Sequence, residues 1–434
     1  MTTSRATADQ AVNASPGGVE SAYAWIRLLA ALLLSTIGGV GMWSVIVALP
    51  AVQAEFGVAR SEASLPYTMT MIGFGVGSVL MGRLSDRFGI MLPVAGGAIS
   101  LSIGYIAASA ASNLWQFTLA QALFVGVASS ATFGPLLADT SLWFTQRRGM
   151  AVAIFASGNY LAGTVWPPIV QHMIQSVGWR QAHVGIALLC VVTMLPLTLV
   201  LRRRPPLTEP ESSSSQRAPW SPRPLGLSPG ALQAALVIAG LSCCVAMSMP
   251  QVHIVAYSGD LGHGAAHGAQ MLSLMLGFGI VSRLASGLIC DRIGGLRTLL
   301  LGSSLQALAL LLFLPFEGLA SLYVISAVFG LSQGGIIPAY AVIVREYFPA
   351  TEAGMRISMV LTASLLGMAL GGWMSGVIFD LTGSYQAAFI NGVLWNLLNM
   401  AIALWLWRRS AGYSPMSPAR AATSGTRSRS STRS

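Results

Sequence analysis

The sequence predicts an all-α membrane protein with twelve transmembrane helices in two six-helix, pseudo-symmetric bundles. Three observations predict it. Of 434 residues, 54% are hydrophobic and only 9% charged, whereas a soluble domain carries about 25% charged residues to cover its surface. The apolar residues come in blocks of roughly 20, the length that crosses a hydrocarbon core of about 30 Å as a helix. The chain also repeats. A shift of 205 residues (287 minus 82) places Gly82, Asp86, Arg87 and Gly89 on Gly287, Asp291, Arg292 and Gly294, and Gly149 and Gly178 on Gly354 and Gly383. Halves that run in the same direction imply a parallel repeat about an axis along the membrane normal.

Blocks bounded by Gly, Pro or charges predict helices at 25–51, 65–85, 90–111, 114–138, 149–173 and 181–202, then at 230–257, 269–289, 296–315, 318–343, 354–378 and 384–407. Residues 1–24 are small and polar, with no short apolar segment and cleavage site ahead of the first block, so that block is expected to stay as an anchor. Between the halves, 203–229 contains RRPPLTEPESSSSQRAPWSPRP and reads as a disordered linker. The tail 408–434, rich in Ser, Arg and Thr, reads likewise. The bundles are therefore expected at 25–202 and 230–407.

The net charge of +10 does not mark a nucleic-acid binder. All 24 basic residues are Arg, and most lie in short segments between apolar blocks, the distribution that orients membrane helices. With both termini cytoplasmic, 21 of the 24 fall on the cytoplasmic side, leaving Arg60 and Arg180 outside and Arg283 within the membrane. The expectation is a multi-pass protein of the inner (plasma) membrane, monomeric in the lipid bilayer, without metal or cofactor. The absence of Lys excludes Schiff-base chemistry. Cys190, Cys243, Cys244 and Cys290 lie in or at the ends of apolar stretches without metal-ligand spacing and read as small core residues. No carboxylate pair, Ser and His couple or metal cluster is expected at membrane depth, which argues against an enzyme.

GRLSDRFG at 82–89 resembles the signature loop of the major facilitator superfamily, and GLICDRIG at 287–294 is its second-half echo. Within that superfamily the chain resembles the monocarboxylate transporter and oxalate:formate antiporter branch. The strings that carry this are WFTQRRGMAVAIFASGNYLAG at 143–163, GWR at 178–180, VHIVAYSGDLG at 252–262, GFGIVSRLASGLICDRIG at 277–294 and FDLTGSYQAAF at 379–389. The resemblance implies a secondary carrier that rocks two bundles around a central site, moving a small organic anion with protons or in exchange for another anion. A carrier of a neutral or aromatic molecule, drug-like or vitamin-like, is the alternative.

Arg283 precedes Asp291 by eight residues, which at 1.5 Å per residue puts it about 12 Å deep. A charge there is costly and by default faces a watery cavity or a partner; the other reading is an Arg satisfied by helix-end carbonyls or a hidden carboxylate. No acid is expected at that depth, and a guanidinium matches a carboxylate bidentately. The resemblance implies that Arg283 binds the substrate carboxylate. His253 follows Pro250 on helix 7 and reads either as a satisfied polar group or as a substrate ligand or proton acceptor; the resemblance favours the substrate site. It also implies an Asp at 279 in eukaryotic carriers, where this chain has Gly279, and a Lys near Trp43, which this chain lacks. Trp43, Gln121, Asn159, Tyr160, Gln251, Gln333 and Tyr340 are further candidates on cavity-lining helices. Gly82, Asp86, Arg87 and Gly89, with Gly287, Asp291, Arg292 and Gly294, are the expected gate, in which a carboxylate held by a helix N-terminus and an Arg closes one face.

Overall fold

The structure, a computed structural model, describes residues 19–145, 147–203 and 224–411. Most of the expected disordered tails, 1–24 and 408–434, and most of the expected linker lie outside the described residues, while 22–24 and 408–411 are helical. Among the described residues, eleven helices are long and apolar enough to cross a membrane, and one of them, Gly149–Arg202, has 54 residues, enough for two crossings of about 20. It divides at Gly178, whose φ of 82° is open to glycine but strained for other residues. The twelve helices are thus α1 (Ala22–Phe56), α2 (Arg60–Phe88), α3 (Met91–Ser109), α4 (Leu114–Leu142), α5 (149–177) and α6 (179–202), followed by α7 (Pro229–Asp260), α8 (Ala265–Ile293), α9 (Gly295–Leu312), α10 (Leu319–Tyr347), α11 (Ala350–Thr382) and α12 (Tyr385–Ala411).

The repeat extends to backbone conformation. Gly89 and Gly294, at the ends of α2 and α8, adopt φ 82°, ψ 164° and φ 82°, ψ 165°. Each donates its N–H back into the preceding helix, to Ser85 and to Cys290, at 2.9 Å. The same offset pairs Gly57 with Gly262 and Gly178 with Gly383, all at positive φ. Local signals start several helices: Ser21 and Asn113 cap α1 and α4 through their side chains, and Ser228 caps α7 ahead of Pro229.

Several expected boundaries are too short. Helix 2 begins at Arg60 rather than 65, helix 8 at Ala265 rather than 269, and helix 11 spans Ala350–Thr382 rather than 354–378. Hydropathy fades where a helix enters the polar interface, but its backbone hydrogen bonds continue. Two irregularities carry no hydropathy signature: α1 breaks at Gly39, and α4 contains a π-helical stretch, Gln121–Gly126.

Helices α1–α6 pack mainly with one another, as do α7–α12. The halves meet chiefly where α2 packs on α11 and α5 on α8. All four cysteines are buried and unpaired.

Candidate functional site

Every hydrogen bond described between the halves lies at mid-depth or toward the Arg-poor face. At mid-depth, Arg283 of α8 donates from Nη1 to the carbonyl of Ala156 at 2.9 Å. That carbonyl ends the first turns of α5, just before the break at Ser157. The Tyr160 ring covers the guanidinium, its centroid 4.5 Å from Cζ. Arg283 Nε is buried without a hydrogen-bond partner, and no described carboxylate pairs with Arg283. The cation is therefore partly satisfied by a helix-end carbonyl and an aromatic face, neither of which neutralises it.

Of the other candidates, Trp43 and Gln333 are placed beside this cluster by described contacts. Trp43 approaches it through Gly163, where an added Cβ would meet the Trp43 ring at 2.8 Å; its Nε1 is buried and unpartnered. Gln251 Nε2 donates to Gln333 Oε1 across α7 and α10, while Gln333 Nε2 is free. The next residue, Gly334, packs on the backbone of Arg283. Asn159 is half-buried. Gln121, in the π-helical stretch, is fully buried with both amide atoms unpartnered. Tyr340 is turned to its own half, its hydroxyl donating to Asn399 Oδ1 at 2.7 Å.

His253 is not joined to the Arg283 cluster by any described contact. Its Nε2 lies 2.8 Å from the Gly372 carbonyl and its Nδ1 3.1 Å from the Tyr385 hydroxyl, so both ring nitrogens are engaged by protein. Through Tyr385 it belongs to a network that the sequence did not single out. Arg60, at the start of α2 and 8% exposed, donates Nη1 to the Tyr385 hydroxyl at 2.8 Å and pairs with Asp260 at 3.0 Å. It also lies over the Phe379 ring, 4.8 Å from the centroid. Asp380, at the end of α11, accepts from the backbone N–H groups of Arg60 and Ser61 at 2.9 and 2.8 Å. Orphan donors at a helix start favour an anion, so the N-terminus of α2 is capped by the opposite half. Thr68 adds a bond to the Ala369 carbonyl at 3.0 Å, and Ser273 one to the Thr164 carbonyl. The signal was available: Arg60 is one of two Arg at the Arg-poor face, and Asp260 and Asp380 lie at its level.

The expected gate residues stand at the Arg-rich face, where no described hydrogen bond joins the halves. Asp86, Arg87, Asp291 and Arg292 are exposed, and Cβ atoms added at Gly82 and Gly287 would meet nothing within 4 Å. A cavity of about 690 Å³ opens beside the first loop, with Asp86, Arg87, Asp139 and Arg202 among its lining residues. Asp139, at this face, is buried in a bidentate pair with Arg27, whose Nε and Nη2 donate to it at 2.8–3.0 Å.

The Major Facilitator Superfamily profile matches residues 31–325 and 291–433. Monocarboxylate transporter 13 of Rattus norvegicus is 27% identical over 385 residues, 86% of each chain. The agnestins efflux protein of Paecilomyces divaricatus is 24% identical over 75% of this chain and 73% of its own. The crystal structure of the nucleoside transporter NupG superposes with a TM-score of 0.70 at 14% identity, over 88% of this chain and 99% of that one. The chain belongs to the Major Facilitator Superfamily and is a transporter, not an enzyme.

Proposed function

We propose that the protein is a secondary carrier of a small organic anion, a monocarboxylate, working by alternating access from the inner membrane with its Arg-rich face and both termini in the cytoplasm. The observation that carries this reading is Arg283: a mid-membrane cation whose Nε has no partner and which no described carboxylate neutralises. A carboxylate at that edge gains charge-assisted hydrogen bonds in a site with little competing water. Arg283 touches both halves, so an anion bound there acts where rocking must be felt. With the Arg-rich face cytoplasmic, this conformation is open inward and closed outward by the Arg60 network. The similarity to a monocarboxylate transporter supports the substrate class.

A second reading, export of a neutral or aromatic molecule, is favoured by the aromatic faces of Tyr160 and Trp43 beside Arg283 and by the similarity to a fungal efflux protein.

Uptake of radiolabelled monocarboxylates into proteoliposomes, with an imposed pH gradient and with or without internal substrate, tests the proposal. Carrier function predicts accumulation abolished by Arg283→Lys, because an ammonium cannot offer the planar fork. Gradient-driven accumulation without internal anion means proton symport, and accumulation only with internal anion means exchange. Equal carboxylate transport by parent and Arg283→Lys contradicts the assignment.

A further inference from the structure

Tyr160 and Gly279 meet across the contact between α5 and α8. A Cβ built on Gly279 would lie 2.6 Å from Tyr160 Cδ1, so any other residue at 279 must displace the ring. The ring is buried, 7% exposed, and its face covers the guanidinium of Arg283, one helical turn beyond Gly279 on the same side of α8. Four residues earlier on α5, the Ala156 carbonyl takes one Nη hydrogen. The first half of the molecule thus meets the arginine of the second half at two points, its face and one terminal nitrogen, while Nε stays buried without a hydrogen-bond partner.

We propose that Tyr160 is a positioning residue for the Arg283 anion site: seated in the notch that Gly279 leaves, its ring holds the guanidinium plane so that the Nε edge receives one carboxylate of a monoanion. This rests on the carboxylate-carrier reading above. An unrestrained arginine must give up rotamer freedom when it binds; a stacked one has already lost it. The ring attracts the cation without cancelling its charge, whereas a carboxylate in the notch would compete with the substrate. No second cation is described in the cluster, which suits one carboxylate rather than two.

Equilibrium binding of radiolabelled acetate, lactate, pyruvate, benzoate and oxalate to the purified full-length protein tests this. Tyr160→Phe keeps the ring, and affinity for the best-bound monocarboxylate should stay within about threefold of the parent. Tyr160→Leu removes the platform and should weaken that affinity about tenfold or more, with oxalate no better than the monocarboxylates. Gly279→Ala pushes the ring aside and should cost about as much on its own, but less than twofold in the Tyr160→Leu background, where no ring is left to displace. That non-additivity is a readout that general destabilisation would not produce. Should Gly279→Ala fail to fold, the Phe and Leu variants decide between them. Parent-like affinity in Tyr160→Leu, or a full Gly279→Ala cost in its background, overturns the positioning role and leaves the carrier reading standing. A parent that binds none of the five probes overturns both.

Discussion

The two ends of α2 and α11 make an instructive contrast. At the Arg-poor end the N-terminus of α2 is capped by Asp380 from the end of α11, and the Arg60 side chain reaches Asp260 and Tyr385. At the Arg-rich end α2 closes with the same kind of group, Asp86, exposed and without a described partner. Similar chemistry is engaged at one end and idle at the other. The same helix pair is thus held shut across the halves at one end and carries no described hydrogen bond between them at the other, the asymmetry a carrier needs if only one face is to be sealed at a time.

Predictions follow from breaking each closure in turn. Arg60→Ala should have the largest effect. Removing one partner of a buried pair costs about 3–5 kcal/mol, but the Asp260 side chain is 38% exposed and solvent screens part of this. We expect about 2 kcal/mol, roughly a thirtyfold shift toward the conformer open at the Arg-poor face, measurable as faster alkylation of a cysteine introduced at Thr68. Asp380→Asn should shift the same equilibrium less, about fivefold, because the amide oxygen still accepts one N–H while the charge at the helix start, about 1 kcal/mol, is lost; the same alkylation assay reads it. His253→Gln should change anion affinity by no more than about threefold and lower thermal stability by about 1 kcal/mol, the value of one buried hydrogen bond; a tenfold loss of affinity would return His253 to the substrate site. Asp86→Asn should be smallest in this conformer, within about 0.5 kcal/mol, yet it should slow transport by weakening the closure that this conformer does not use. Loss of binding without slower exchange would contradict that role.

What the sequence reveals and what it hides divide along physical lines. Helix number, direction and repeat follow from hydropathy, Arg placement and glycines, because membrane insertion acts on each segment almost independently. Arg283 was legible for the same reason, as a charge at a depth where charges are costly. The Arg60 network was legible only as a shared level of Arg60, Asp260 and Asp380; which of them pair, and that Tyr385 joins them, depends on how separate helices meet. Depth along one helix constrains that only weakly. Tyr340 shows the converse limit: a polar aromatic on a lining helix reads as a ligand, and only the structure shows its hydroxyl donating to Asn399 inside its own half. Gly279 gave a half-signal. Its missing side chain was visible, but the Tyr160 ring that fills the space was not.

The central claim, that the two ends exchange closure, is tested most directly by distances between spin labels on α2 and α11. One pair, at Glu62 and Leu381, reports the Arg-poor end; the other, at Arg83 and Met355, reports the Arg-rich end. In the parent the account predicts a short Glu62–Leu381 distance and a long Arg83–Met355 distance. Introducing Arg60→Ala should create a second population in which the first lengthens and the second shortens together. Distances that move in the same direction at both ends, or that do not respond to Arg60→Ala, would contradict it.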